Sequence, residues 1–251
     1  MVICMKVIEY IRSKLRLEKL HMTLIDPDKH SPDECSDIAY LAYRAGSDAI
    51  MVGGSTGINS ENLDKSVVAM KSLVPIPIIQ FPSHAGALSP NFDAIYFMSL
   101  LNSKEIKYLV GEQMKASQTI KDMGIETIPM GYVIVEPGMR VGETGAAEPV
   151  KRDDVKTAIG YALAAEFFGM KLYYLEAGSG APEPVPTEMV KAVKEILTIP
   201  LIVGGGIKDA ETARKISEAG ADIVVTGTIV EISEDVEGTL RSIIKAVKGR
   251  I

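Results

Sequence analysis

The sequence predicts one (β/α)8 barrel of the TIM type, a single domain that spans residues 1–251. The chain has the usual length of one such barrel. Short apolar runs rich in β-branched residues alternate with longer helical stretches, which is typical of buried parallel strands joined by crossover helices. Gly recurs where a helix should end, as in Ala45-Gly46, Met123-Gly124, Phe168-Gly169 and Ala219-Gly220. Glycine readily adopts the left-handed backbone conformation of the residue that ends a helix before the next strand.

Eight strands and eight helices follow from this alternation. Strands are predicted near residues 20–25, 48–52, 76–81, 94–99, 127–135, 172–176, 201–204 and 223–226. Helices are predicted near residues 4–17, 33–45, 59–73, 103–122, 153–168, 186–197, 209–218 and 233–248.

Two connections depart from the pattern. The stretch between Phe81 and Asp93 contains Pro82, Gly86 and Pro90 and is too short for a crossover helix. The third helix is therefore predicted to be missing or replaced by an extended segment. This would leave a gap in the outer ring where a long apolar ligand could bind, or the connection could form a compact loop that binds no ligand. The 136–150 segment is longer than a usual connection, and we predict a mobile lid there.

Composition excludes several classes of function. The net charge of −6 argues against non-specific binding of nucleic acid. No apolar run is long enough to span a membrane, and the first twenty residues lack a signal-peptide layout, so a cytoplasmic protein is expected. Cys4 and Cys35 form no disulfide framework and no metal-binding spacing.

Two Gly-rich turns near the end of the chain predict a phosphate site. Gly204-Gly205-Gly206 follows one predicted strand, and Thr226-Gly227-Thr228 follows the next. Bare backbone N–H groups in such turns can cup an anion, and barrels commonly bind phosphate in the loops after their last two strands. We therefore expect a phosphate between Gly205-Gly206 and Gly227-Thr228.

Other candidate residues lie where the first, second and sixth strands end. Asp26 is a candidate Mg²⁺ ligand, because this hard cation takes one or two carboxylates and leaves its other positions to substrate phosphates. Asp28 fits simple turn chemistry better, while Ser55 or Thr56 could add a hydroxyl oxygen to the same cation or to a phosphate.

Glu176 interrupts an apolar run at the end of the sixth strand. Partial desolvation there should raise its pKa towards that of a useful general base, with a salt-bridged structural acid as the alternative. Tyr174 lies on the same face of that strand and could orient a substrate hydroxyl, whereas Tyr173 should point into the core.

Several of these segments resemble the geranylgeranylglyceryl phosphate synthase family. The resemblance rests on Leu24-Ile-Asp26-Pro, Val52-Gly-Gly-Ser55, Tyr132-Val-Ile-Val-Glu-Pro137-Gly, Tyr174-Leu-Glu176-Ala-Gly-Ser-Gly180 and Val203-Gly-Gly-Gly206, in that order, and covers nearly the whole chain. It implies a modified barrel without its third helix. The implied reaction transfers the geranylgeranyl group of geranylgeranyl diphosphate to the 3-hydroxyl of sn-glycerol 1-phosphate, the first ether bond of archaeal membrane lipids.

The resemblance also implies a role for each site residue. Mg²⁺ would be held by Asp26 and Ser55, and Glu176 would be the base. The implied contacts of sn-glycerol 1-phosphate are Tyr174, Leu175, Glu176, Ala177, Gly178, Ser179, Gly180, Gly205, Gly206, Gly227 and Thr228. The family forms dimers and larger rings, so a homo-oligomer is expected, as is transient membrane contact without an anchor.

Alternatives remain at this stage. The related bacterial enzymes, which use a heptaprenyl donor, usually have Lys at the position of Leu24 and a shorter loop after Glu176, so this chain resembles the archaeal branch. A sugar-phosphate isomerase could bind phosphate in the same two Gly-rich turns. Such an enzyme needs a general acid and a general base at the strand ends and no metal ion. A phosphate-binding barrel without catalytic activity is disfavoured by Asp26 and Glu176 at strand ends.

Overall fold

A computed structural model describes residues 5–54 and 60–249, and it confirms the predicted barrel. Eight parallel strands close in chain order, with the last strand paired to the first. The strands are β1 Leu20–Ile25, β2 Ala49–Val52, β3 Ile78–Gln80, β4 Ala94–Leu100, β5 Glu126–Ile134, β6 Leu172–Glu176, β7 Leu201–Gly204 and β8 Ile223–Thr226. The strand predicted near 76–81 is therefore shorter than expected.

The helices occupy most of the predicted positions. They are α1 Val7–Leu15, α2 Pro32–Ala45, α3 Ser60–Leu73, α4 Glu112–Met123, α5 Met139–Thr144, α6 Val155–Phe167, α7 Thr187–Ile196, α8 Ala210–Ala219, α9 Thr228–Ile232 and α10 Val236–Val247. A π-helical turn over Lys107–Gly111 leads into α4, so the helix predicted near 103–122 begins later. The short helices α5 and α9 were missed because each has fewer than two helical turns, too few to show a period.

Buried residues form two main layers, one inside the barrel and one between its wall and the helices. Helix α1 belongs to the inner layer, since Val7 and Ile11 pack with Leu20 and Met22 of β1. The Glu126 carboxylate accepts hydrogen bonds from two N–H groups at the start of α1. Helix α1 therefore closes the amino-terminal end of the barrel and leaves the carboxyl ends of the strands as its accessible mouth.

The amino-terminal end is also fixed by carboxylates that precede three of the even-numbered strands, β2, β4 and β8. Asp48, Asp93 and Asp222 each accept a backbone N–H from the first or second residue of the preceding strand, at 2.8–3.1 Å. The stretches 45–54 and 219–228 are similar in sequence, and in each the aspartate binds a backbone N–H of the preceding strand. Gly46, Gly124, Gly169 and Gly220 all have positive φ, which confirms their predicted role in ending helices.

The connection from β3 to β4 contains no helix, as predicted. Residues on the outward side of β4, such as Ile95 and Phe97, pack instead with Ala116 and Ile120 of α4 and with Leu88 of the connection. The outer ring of helices is therefore open beside β3 and β4. Among the described residues, none of the helices has the length and apolar character needed to cross a membrane.

The 136–150 segment, predicted as a long connection, is folded and contains a helix that the sequence did not predict. It contains α5, and Asn102 holds both of its flanks by donating to the carbonyls of Ile134 and Glu148 at 2.9 and 2.8 Å. Its Gly138 N–H donates to the Ala177 carbonyl at 3.0 Å. The mobility of this segment stays a prediction.

Candidate active site

Glu176 is buried at the mouth of the barrel. It is the last residue of β6, with 7 % of its surface exposed, and its Oε1 accepts the Gly178 N–H at 2.7 Å. Burial raises the pKa of this carboxyl, and the Gly178 N–H and the hydroxyls of Tyr174 and Tyr132 oppose that rise. The direction agrees with the sequence prediction and gives a carboxylate with more basic character than an exposed one.

Two tyrosines hold Glu176 from inside the barrel. Tyr174 and Tyr132 are 1 % and 2 % exposed, and their rings make an edge contact with centroids 5.1 Å apart. Burial raises the pKa of both phenols well above the usual value, with a further contribution from Glu176, so both hydroxyls stay protonated and can donate. Tyr173 faces outward and donates to the Ala158 carbonyl, as expected of a core residue.

Tyr132 was missed as a functional residue. The sequence places it on β5, and only the strand register sets it opposite Tyr174, with Ile134 opposite Glu176. The available signal was the alternation of Tyr132 with other inward residues along one strand. That alternation identifies the face on which Tyr132 lies but not its neighbour across the sheet.

The predicted phosphate-binding segments lie together beside Glu176. The AGSG loop, residues 177–180, reaches the start of α9 through Ser179 Oγ, which lies 3.1 Å from Thr228 Oγ1. Gly205 has φ +81°, and a Cβ placed on it would lie 2.3 Å from Glu176 Oε1 and 2.6 Å from the Gly178 amide nitrogen. Glu176, Gly178, Ser179, Gly205 and Thr228 therefore belong to one small region, where a side chain on Gly205 would displace the Glu176 carboxylate.

The remaining predicted contacts flank this region. Gly206 also has positive φ, and a Cβ there would lie 2.5 Å from the backbone of Glu183. Gly227 precedes α9 with φ −128° and has only ordinary contacts, so its conformation does not require glycine. Leu175 and Ala177 are fully buried, and Gly180 has positive φ at the end of the AGSG loop. Their contact with a substrate stays a prediction.

Asp26 lies across the mouth, directly after β1. Its Oδ1 accepts the Asp28 N–H at 3.1 Å, so the Asp26 carboxylate itself takes part in the turn, whereas the sequence predicted a turn role for Asp28. Partial burial raises the pKa of Asp26, while the Asp28 N–H and the charge of Lys29 oppose the rise. A Cβ on Gly54 would lie 2.5 Å from Asp26 Oδ1, so the ends of β1 and β2 meet here. Ser55 and Thr56 lie outside the described residues.

The residues around Asp26 fit an open magnesium site. Within residues 5–54 and 60–249, no group of three or more His, Cys, Asp or Glu side chains could hold a metal ion. A closed protein cage is thus not formed by these residues, but Mg²⁺ usually takes one or two carboxylates and fills its other positions with water and substrate phosphate. A single half-buried carboxylate at the mouth, without a side-chain ion pair of its own in the described part of the chain, suits that kind of site.

A cavity of about 450 Å³ joins these groups to the gap in the outer ring. Asp26, Glu176 and Ser179 line its polar end at the mouth. Its other end is mostly apolar, and the apolar lining residues from β4 and α4 are Ile95, Tyr96, Phe97, Met98, Leu100, Ala116 and Ile120. Glu112 and Gln113, in the first turn of α4, also line the cavity. The cavity therefore passes from the mouth around the end of the short strand β3 to the outside of the barrel wall.

His84 also lies at this cavity and has a local role. Its Nδ1 accepts the Gly86 N–H at 3.0 Å within the connection from β3 to β4. His21 and His30 are not among the residues that line the cavity.

Fold and site together define a (β/α)8-barrel enzyme with a buried glutamate at the carboxyl ends of its strands. The model of the PcrB family matches residues 13–247, and the chain belongs to this family. It is 52 % identical to the geranylgeranylglyceryl phosphate synthase of Picrophilus torridus over 243 residues, which cover 97 % of this chain and all of the relative. It is 51 % identical to that of Pyrococcus horikoshii over 232 residues, 92 % of this chain and 91 % of the relative.

A solved structure of one relative is also very similar. The (S)-3-O-geranylgeranylglyceryl phosphate synthase of Thermoplasma acidophilum, in complex with its substrate sn-glycerol 1-phosphate, superposes with a TM-score of 0.96. The two chains are 49 % identical, and the match covers 98 % of this chain and 100 % of the other. These likenesses confirm the family and the class of enzyme that the sequence motifs predicted.

Proposed function

We propose that this chain transfers the geranylgeranyl group of geranylgeranyl diphosphate to the 3-hydroxyl of sn-glycerol 1-phosphate and releases diphosphate. The observation that carries the proposal is the position of Glu176. It lies beside Gly205, Ser179 and Thr228 and lines the polar end of a cavity whose other end is mostly apolar. A base between a small polar region and a long apolar cavity suits a transferase with a hydroxyl acceptor and a prenyl donor.

The acceptor would be held at the polar end. The N–H groups of Gly205 and Gly206 and the hydroxyls of Ser179 and Thr228 are the donors available to its phosphate. With the phosphate fixed, the 3-hydroxyl is held near Glu176, so that the attack is effectively intramolecular. Glu176 takes the hydroxyl proton as the oxygen forms its bond to the allylic carbon.

The donor would place its diphosphate at Asp26 and its chain in the apolar part of the cavity. The bond from the allylic carbon to the diphosphate oxygen breaks, and the diphosphate leaves with the electron pair. A Mg²⁺ ion held by Asp26, and by Ser55 if its hydroxyl reaches, would neutralise charge on the leaving oxygens. The aromatic rings of Phe81, Tyr96 and Tyr132, of which the first contacts the other two edge to face, line the cavity and would limit the access of water to the allylic carbon.

A transfer assay tests the proposal. The protein is incubated with labelled sn-glycerol 1-phosphate, Mg²⁺ and, in separate reactions, farnesyl, geranylgeranyl or heptaprenyl diphosphate. We expect a labelled prenyl ether formed fastest from geranylgeranyl diphosphate, with sn-glycerol 3-phosphate as the matched acceptor control that reacts poorly. Absence of ether with every donor would contradict the proposal, and preference for heptaprenyl diphosphate would reassign the donor.

Tyr132→Phe should shift the pH dependence of this reaction. The Tyr132 hydroxyl stabilises the charged form of Glu176, so its loss raises the pKa of that carboxyl. The acid limb of the kcat/KM profile should therefore move to higher pH, with a loss of about 10-fold or more at neutral pH, because a hydrogen bond to a charged group is worth about 1.5–3 kcal/mol. The measurement is kcat/KM across a pH series.

Tyr173→Phe is the matched control for that variant. It removes a phenol hydroxyl from the neighbouring position to Tyr174, but on the outward face of β6. Its profile should superpose on that of the unmodified protein. An acid limb that stays in place in Tyr132→Phe, or that moves equally in both variants, would show that Tyr132 does not act through Glu176.

A further inference from the structure

The cavity contains few positive charges for an enzyme whose donor is a diphosphate. Of the described residues that line it, two are cationic, Lys29 and Arg140. The acidic lining residues are Asp26, Asp28, Glu112, Glu176 and Glu231. The chain as a whole also carries a net charge of −6. A diphosphate entering this mouth therefore needs a local cation in addition to any metal ion at Asp26.

Lys29 is the lining cation closest to Asp26 along the chain. It lies in the turn that follows β1, where its backbone N–H donates to the Asp26 carbonyl at 3.2 Å. Its ammonium group contacts both carboxylate oxygens of Glu231, at 2.7 and 2.9 Å. Glu231 lies on α9, the short helix that begins with Thr228. The Lys29–Glu231 ion pair thus joins the Asp26 turn to the segment expected to hold the acceptor phosphate.

This ion pair is well placed to exchange partners. The Lys29 and Glu231 side chains are 48 % and 26 % exposed, and ion pairs with that much exposure add little to stability. The lysine has a flexible four-carbon stem and a compact charge that can turn from one oxygen set to another. A phosphate oxygen beside Asp26 is a stronger attraction for an ammonium group than a solvated carboxylate, because it brings more negative charge to the same region.

From this geometry we propose that Lys29 is a binding residue for the donor diphosphate, and that Glu231 holds it at the mouth until the donor arrives. The proposal rests on the proposed function, since it places the diphosphate at Asp26. Glu231 acts as a competitor of the diphosphate for Lys29. Its removal should therefore have an effect opposite to that of removing Lys29.

Binding of inorganic pyrophosphate in the presence of Mg²⁺ tests the proposal by titration calorimetry. Lys29→Met should weaken pyrophosphate binding by about 10-fold, the usual worth of one charge-assisted hydrogen bond. Glu231→Gln should bind pyrophosphate at least as tightly as the unmodified protein, because the ammonium group is released. The matched control is Lys215→Met, which removes an exposed lysine paired with Glu211 on α8, outside the cavity, and should change nothing.

The possible outcomes separate the two roles of the ion pair. Similar losses of affinity in Lys29→Met and Glu231→Gln would show a structural ion pair and overturn the proposal. A Lys29→Met variant that binds pyrophosphate within twofold of the unmodified protein would overturn it too. Neither measurement requires prenyl transfer, so a protein that passes this test but forms no prenyl ether would refute the proposed function and not the role of Lys29 in binding diphosphate.

Discussion

Glu176→Gln should reduce kcat of prenyl transfer by about 10²–10⁴-fold, the range typical of losing a general base. The amide has the shape of the carboxylate, so its oxygen can still accept the Gly178 N–H and fit beside Gly205. It cannot take the proton of the acceptor hydroxyl. We therefore expect the dissociation constant for sn-glycerol 1-phosphate, measured by titration calorimetry, to stay within about 3-fold.

Two further measurements make this test specific. Glu183→Gln is the matched control, because Glu183 lies on the loop that follows the AGSG loop but is 70 % exposed and paired with Arg152. It should keep nearly full activity. The Glu176→Gln variant should unfold at or above the temperature of the unmodified protein, since it removes a buried charge whose desolvation is costly. Near-normal turnover in Glu176→Gln would exclude Glu176 as the base.

The sequence was sufficient for the parts of the site that depend on local pattern. Buried strands appear as short β-branched runs, and the ends of α2, α4, α6 and α8 are marked by glycines with positive φ. Since all strands of a barrel run in one direction, residues after Ile25, Glu176 and Val203 had to meet at one mouth. The absence of a third helix followed from the short connection between Phe81 and Asp93 and from its prolines and glycine.

Contacts between distant segments could not be predicted in the same way. Lys29 and Glu231 are 202 residues apart, and each has the appearance of an ordinary surface charge in the sequence. The contact of Gly138 with the AGSG loop depends on α5, which has six residues and no measurable period. Tyr132 reaches Glu176 only through the register of β5 on β6. In each case the information lies in how two elements are placed, not in either element.

Gly178 shows how such a contact restricts the sequence. A Cβ on this residue would lie 2.6 Å from Met139 Cγ and 2.7 Å from the Gly138 carbonyl oxygen. The AGSG loop therefore follows the surface of the 136–150 segment closely. Packing against the start of α5 therefore requires a glycine at position 178, whatever ligand the loop binds. The same residue also donates its N–H to Glu176. The lack of a side chain at Gly178 thus lets its backbone contact the start of α5 and Glu176 at once.

Asp26→Asn should reduce prenyl transfer by about 10²–10³-fold and raise the Mg²⁺ concentration needed for half-maximal rate. The size of the effect is that of removing one strong electrostatic contact from a charge that develops in the transition state. The amide can still accept the Asp28 N–H and pack beside Gly54, so the turn should keep its form. What it loses is the negative charge that a hard cation requires. The measurement is the initial rate across a Mg²⁺ series at saturating sn-glycerol 1-phosphate.

Asp28→Asn is the matched control for this substitution, and the contrast between the two variants decides the assignment. Both residues line the cavity and are two positions apart, but Asp28 is exposed and its backbone, not its carboxylate, forms the bond to Asp26. If Asp28 serves only the turn, its variant should stay within about 3-fold in rate at every Mg²⁺ concentration, because surface substitutions away from special contacts have small effects. An Asp26→Asn variant with the unmodified Mg²⁺ dependence would show that the ion is held elsewhere. Equal shifts in the two variants would instead mean that both carboxylates bind it.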